Sequence, residues 1–223
     1  MKAVMPTVLP EVVALRKRTG ADRWDEMWEG VLHMPPAPNP DHQDFEWSLE
    51  AYLRTRWAPE RKAKVYHNVN VAPPGGWPDD YRIPDLVILL PASGAVRKDT
   101  YFEGPPDVVV EIRSPGDESL EKLPFYASLG VPEVWIIDRD TKDPTIHTLV
   151  DGRYAPDAAD ETSGGEPHWI QSAVTGLDLR RADPPPGDGD ASEESSGKLS
   201  EGAGRLSIRL AGDESTREDL PSD

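Results

Sequence analysis

The chain has 223 residues, a formal net charge of -17 and no cysteine. That length allows one sizeable domain plus a tail, and the lack of thiols excludes disulfides and thiolate metal sites. So acidic a body opposes tight non-specific binding to nucleic-acid phosphates, leaving room for a local basic groove or a metal-bridged contact. No run of about 18 apolar residues is present, so no membrane span is expected. The N-terminal MKAVMPTVLPEVVAL shows no signal-peptide core or cleavage site, which makes the cytoplasm the expected location.

In chain order, Pro10 to Thr19 reads as a short helix closed by Gly20. WDEMWEGVLHM reads as two strands joined by a tight turn at Glu29-Gly30, and PPAPNP as a loop. Asp41 is placed to cap a helix carrying Phe45, Leu49, Tyr52, Leu53 and Trp57 at helical spacing. Arg54, Arg56, Arg61, Lys62 and Lys64 form a basic cluster after it, which is a phosphate-facing patch or an ordinary solvated helix end. Lys64 to Val71 alternates as a strand, PPGGWPDD is a turn-rich loop, and Arg82 to Leu90 is a mostly apolar strand. ASGAVRKDTYFEGPP reads as loop and Val108 to Ile112 as a second central strand.

Asp117 or Ser119 caps the next helix, which holds Lys122, Phe125 and Tyr126 and ends at Gly130; Pro124 fits only in its first turn. Val134 to Asp138 is a third buried strand, and Thr145 to Val150 returns from it. The strand, helix, strand unit from Val108 to Asp138 implies one parallel crossover and the later turns an antiparallel edge. The expected class is therefore α/β of the mixed α+β kind, a mixed central sheet flanked by helices. WIQSAVTGLDL reads as a final ordered piece. Residues 1–181 form the expected domain. From Ala182 to Asp223 the chain turns acidic and rich in Pro, Gly and Ser, and a disordered tail is expected there, with RLSIRL (Arg205 to Leu210) a weak strand signal.

The chemistry concentrates between Ile83 and Asp138. Asp85 and Glu111 each stand on an apolar strand-like run, where a carboxylate needs a cation, a hydrogen bond or water. A magnesium or manganese ion supplies that cation, and two carboxylates plus the backbone carbonyl of Ile112 suffice to hold it. Lys122 fits the role of positioning water and neutralising developing charge. Arg113, two residues after Glu111 and on its face, fits a phosphate or carboxylate contact. Blander readings stand beside these: Asp85 as a strand-end cap, Glu111 as an ion-pair partner of Arg113 or Lys122, Lys122 on a solvated helix face. His42, at a helix start, is more often a capping or solvent-facing residue, and the seven tryptophans are core or interface, with Trp77 the exception worth testing.

The motifs PDLVIL, PPDVVVEIRSP and EKLPFYASLGVPEVWIID together resemble the Uma2 family, formerly DUF820, of the PD-(D/E)xK restriction-endonuclease-like superfamily. EMWEGVLHMPPAP and SAVTGLDL extend the resemblance to roughly residues 10 to 180. The resemblance implies a restriction-endonuclease-like core, with Asp85 and Glu111 as metal ligands and the lysine moved from the strand onto the helix, here Lys122. Glu26 matches the family's N-terminal acid, and Tyr126 the tyrosine one turn after the lysine. Arg113 departs from the apolar residue common at its position. The expected function is a Mg- or Mn-dependent endonuclease acting on DNA as a homodimer. The alternative is a catalytically weak or inactive binding or assembly module on the same fold.

Overall fold

The computed structural model describes residues 3–5, 9–158, 168–182 and 204–221. Helix α1 (Pro10–Thr19) ends on Gly20, whose φ of 69° is the left-handed cap that glycine adopts without cost. A hairpin of Glu26–Trp28 and Val31–Met34 follows, turned by Glu29 and Gly30, both at positive φ, as a two-residue turn matched to strand twist requires. Ala3–Met5 adds a third strand to it. Helix α2 (Pro40–Tyr52) is capped by Asn39, whose side chain accepts the His42 amide at 2.9 Å; the cap is thus two residues earlier than the expected Asp41. A π-helical stretch, Leu53–Trp57, and the short α3 (Ala58–Arg61) continue it.

The central sheet has six strands: β1 (Lys64–His67), β2 (Leu86–Leu89), β3 (Val108–Arg113), β4 (Glu133–Asp138), β5 (Pro144–Val150) and β6 (Arg153–Ala158). They lie side by side in chain order. All neighbours are antiparallel except β3 and β4, which run parallel because helix α4 (Leu123–Leu129) carries the chain back between them. This is the mixed sheet and single parallel crossover that the sequence implies.

Period-2 alternation gives the sheet two buried faces. Leu86, Ile88, Val108, Val110 and Trp135 face Phe45, Leu49 and Trp57 from the α2 side. Val87, Val109, Val134 and Ile136 face Phe125 and Tyr126 of α4. Trp57 is locked in place by its indole, which donates to the Thr175 carbonyl at 3.1 Å.

Three expectations need correction. Lys64 to Val71 is not one strand: Asn68, at φ 48°, breaks it, and Asn70–Ala72 leaves the central sheet. It pairs instead with Tyr101–Glu103, which also pairs with Val96–Arg97, inside the segment expected to be loop. There Trp77 stacks on Tyr101 at 4.8 Å, inside a local aromatic cluster. Third, the tail expected from Ala182 is in part folded. Leu206–Leu210 and Glu218–Leu220 pair beside Leu177–Arg181 and Ile170–Gln171 in a four-stranded antiparallel sheet. Leu206, Ile208 and Leu220 are buried in the α2-side core. The alternation of Leu206, Ser207, Ile208 and Arg209 gives this strand an apolar face, and that face outweighs the polar composition around it. Residues 183–203 of the expected tail lie outside the described residues.

Because Ile208 is fully buried against strands of the domain body, Ile208→Ala should cost about 2–5 kcal/mol. Urea unfolding of the full chain measures this; an unchanged midpoint would mean that the C-terminal strands do not belong to the core.

Candidate active site

A cleft of about 440 Å³ opens where β2, β3, the N-terminal hairpin and α2 converge. The register of β2 on β3 pairs Leu86 with Val110, so one step further Asp85 stands beside Glu111. Asp85 shares its parity with Val87 and Glu111 with Val109, so both carboxylates belong to the α4 face of the sheet. Both line the cleft, with Glu26, His42, Ile112 and Lys122.

Glu111 is 3 % exposed. Its Oε1 accepts the Tyr126 hydroxyl at 2.6 Å, and its Oε2 accepts the Lys122 ammonium at 3.1 Å. Lys122 stands at the start of α4, just ahead of Leu123 and Pro124, so the proline falls where a missing amide is tolerated. The same ammonium lies 2.9 Å from Glu26 Oε1. Glu26 also accepts the Ile83 amide at 2.8 Å and the Trp28 indole at 2.7 Å, which ties the N-terminal hairpin to the central sheet. Asp85 uses Oδ2 to accept the Ile112 amide at 2.6 Å and Oδ1 to meet His42 Nε2 at 3.0 Å.

Sequence reasoning gave Asp85, Glu111 and Lys122 the central roles, and the fold brings all three together. Glu26 and Tyr126 join them. Arg113 does not. Its strand parity is that of Glu111, but two residues advance a strand about 6.6 Å, and Arg113 emerges exposed beside Asp138, outside the cleft. Glu111 is paired with Lys122 and Tyr126 instead. His42 was the reverse case: read as a cap, it is buried and points its ring at Asp85. Glu46, one turn on, is also buried and was not singled out at all; the His42–Glu46 spacing of four residues, which places both on one helix face, was the available signal. Arg139, at the end of β4, lines the cleft as well and was likewise missed.

The electrostatics carry one message. Burial pushes the Glu111 carboxyl up to about 8; Lys122 pulls the other way, and the charges of Asp85 and Glu26 add to the rise. Burial likewise raises Glu46 to about 7, reinforced by Asp85. Burial opposes the charge of Lys122, but Glu111 and Glu26 outweigh it and hold the ammonium well above the usual lysine range. A single charged lysine therefore stands among more carboxylates than it can neutralise.

That surplus of buried negative charge is what a divalent cation relieves, so the donor set fits one. Asp85, Glu111 and the Ile112 backbone are the residues that sequence reasoning assigns to it. His42, Glu46 and Asp85 also offer one ligand atom each, all within 4.8 Å of one another.

A sequence model of the Uma2 family, described as "Putative restriction endonuclease", matches residues 11–180. Among solved structures, the chain is similar to a "putative nuclease belonging to DUF820" from Anabaena variabilis ATCC 29413, at 16% identity and a TM-score of 0.53 over 68% of this chain and 83% of that one. No curated protein matches.

The folded-state pKa of Glu111, about 8, lies above its ordinary 4.5, so the folded protein holds that proton more tightly than the unfolded one. The stability it contributes is complete below about 4.5 and is lost as pH rises through 8. In metal-free buffer, the stability difference between wild type and Glu111→Gln should therefore move against wild type as pH rises from about 5 to about 8.5. Urea midpoints of the two proteins measure it, and a difference that does not change with pH would contradict the shift.

Proposed function

This chain belongs to the Uma2 family, and on that premise we propose that its cleft hydrolyses DNA phosphodiester bonds with the help of a divalent metal ion, Mg2+ or Mn2+. The observation that carries the reading is the buried Glu26–Lys122–Glu111 array beside Asp85. A purely structural core has no need of three carboxylates around one lysine, because an apolar packing of the same volume would be as stable or more so.

Asp85 and Glu111, with the Ile112 carbonyl, would hold the ion, which when bound supplies Lewis acidity toward a phosphoryl oxygen. The remaining work belongs to the chain's own groups. Tyr126 stays protonated, since burial and the Glu111 charge raise its pKa well above the ordinary tyrosine value, and so it donates to Glu111 and fixes that carboxylate. Glu26 anchors Lys122 from the other side. Lys122, charged and held in place, orients the attacking water and offsets the negative charge that develops on the phosphate. Two copies of the chain, one per strand, are the simplest arrangement for cutting a duplex, and among the described residues no helix is long and apolar enough to cross a membrane.

The acidic surface sets the terms of DNA approach. Besides Lys122, Arg139 is the one Lys or Arg among the described residues that line the cleft, 19% exposed at its side chain. It fits a contact to a phosphate flanking the one that is cut.

Purified protein should nick or cleave DNA when Mg2+ or Mn2+ is supplied, and Asp85→Ala and Lys122→Ala should each lower the rate by about a hundredfold or more. Absence of cleavage across single-stranded, duplex and branched substrates with both metals would leave the binding-module reading in its place.

Arg139→Ala should weaken DNA binding for all sequences alike and reduce the slope of log affinity against log salt by about 1. A fluorescence-anisotropy titration at several salt concentrations measures both; an unchanged slope would remove Arg139 from the DNA path.

A further inference from the structure

The residues assigned so far leave His42 and Glu46 without a task, although both are buried at the edge of the cleft. His42 is 7 % exposed and Glu46 4 %. Burying an imidazole, a carboxylate and part of a second in one place is costly unless their charges are balanced. Asn68 donates to Glu46 Oε1 at 2.7 Å. The other oxygen, Oε2, lies 4.0 Å from His42 Nε2, beyond hydrogen-bond reach. His42 Nε2 in turn lies 3.0 Å from Asp85 Oδ1.

We propose that His42, Glu46 and Asp85 form a second divalent-cation site, for a first-row transition-metal ion, which shares Asp85 with the Glu111 side of the cleft.

The spacing favours it. Ligand atoms about 2.1 Å from an octahedral ion stand about 3.0 Å apart when adjacent and about 4.2 Å apart when opposite. The 3.0 Å between His42 Nε2 and Asp85 Oδ1 and the 4.0 Å between His42 Nε2 and Glu46 Oε2 fall near those two values, and the three ligand atoms all lie within 4.8 Å of one another. The elements that carry the ligands are fixed. Asn39 caps α2 so that His42 and Glu46 fall one turn apart on its inner face, and Asn68 orients Glu46 from the break between β1 and the next strand. The cation takes the place of the proton held between His42 and Asp85.

The donor set also selects. An imidazole nitrogen favours a first-row transition-metal ion, with iron, nickel and zinc suiting it better than manganese, whereas magnesium is a hard ion that prefers oxygen alone. The Glu111 side offers only oxygens. The two halves of the cleft therefore differ in chemistry, and an Asp that bridges two ions about 4 Å apart is a known arrangement for phosphoryl transfer. This extends the nuclease reading and rests on it only for what the second ion would be used for. The binding stands on geometry alone.

Binding and cleavage are read separately on the full chain. Free Mn2+ followed by electron paramagnetic resonance should show two ions per wild-type chain. Glu46→Gln should lose at least about tenfold in affinity for one of them, while Glu111→Gln keeps that ion. A large excess of Mg2+ should displace one ion and leave the other. In the folded wild type, pulsed resonance of the Mg2+-resistant Mn2+ should show coupling to a nitrogen-14 nucleus, and this should vanish in His42→Gln. Wild-type Mn2+ stoichiometry and affinity in Glu46→Gln, complete displacement by Mg2+, or no nitrogen coupling would each overturn the proposal. Normal binding of both ions without any DNA cleavage would instead count against the nuclease reading and leave the second site standing.

Discussion

The structure turns on a single buried ammonium. Lys122 lies between Glu26 and Glu111, at 2.9 Å and 3.1 Å, and those two carboxylates come from parts of the chain far apart in sequence. This charge favours the meeting of the N-terminal hairpin, the β3 strand and the start of α4, because two buried carboxylates facing each other without it would repel. The lysine thus does two things at once. It closes the hairpin onto the sheet, and it keeps the edge of the cleft polar where an apolar core would otherwise seal it. Its partners are fixed in turn by neutral donors: the Trp28 indole and the Ile83 amide on Glu26, the Tyr126 hydroxyl on Glu111. None of these donors carries charge, so the negative surplus remains.

How the site comes to lie there follows from topology. Among the described residues β3 and β4 are the only parallel neighbours in the central sheet, and α4 crosses over between them. The helix therefore begins just beyond the end of β3, and its first residues fall next to Glu111. On the other side, the antiparallel pairing of β2 with β3 lays Asp85 at the same end. The carboxylates at 85 and 111 and the ammonium at 122 are thus brought together by strand register and one crossover, not by any long loop. A one-residue slip of β2 would turn Asp85 to the opposite face and dissolve the arrangement.

Much of this was legible in the sequence, for a physical reason. Asp85 and Glu111 interrupt runs of Val, Ile and Leu, and a charge inside an apolar strand has to be accounted for. His42 and Glu46 gave a weaker signal: their spacing puts them on one helix face, but charged residues on an amphipathic helix ordinarily face water, and the fold shows that theirs is the inner face. Arg113 misled for the opposite reason: alternation fixes the face of a strand residue but not how far along the strand the cleft extends. The short strands at Asn70–Ala72, Val96–Arg97 and Tyr101–Glu103 are too brief to establish a period. At Leu206–Leu210 the period was present in five residues, but composition over the surrounding forty pointed the other way.

The net charge of -17 opposes tight non-specific binding to nucleic acid. Within the cleft the same property acquires a different meaning. A site made of Glu26, Asp85 and Glu111, with Glu46 behind them, repels a phosphate as it stands, and one lysine and one arginine do not reverse that. Each divalent ion added there changes the local charge by two units over distances of a few ångströms, where screening by salt is weakest. On the proposed nuclease reading, an acidic protein arranged in this way would discriminate between its loaded and unloaded states more sharply than a basic one, because without cations its carboxylates repel the phosphate. The excess of carboxylates would then act as a gate, making DNA contact conditional on metal.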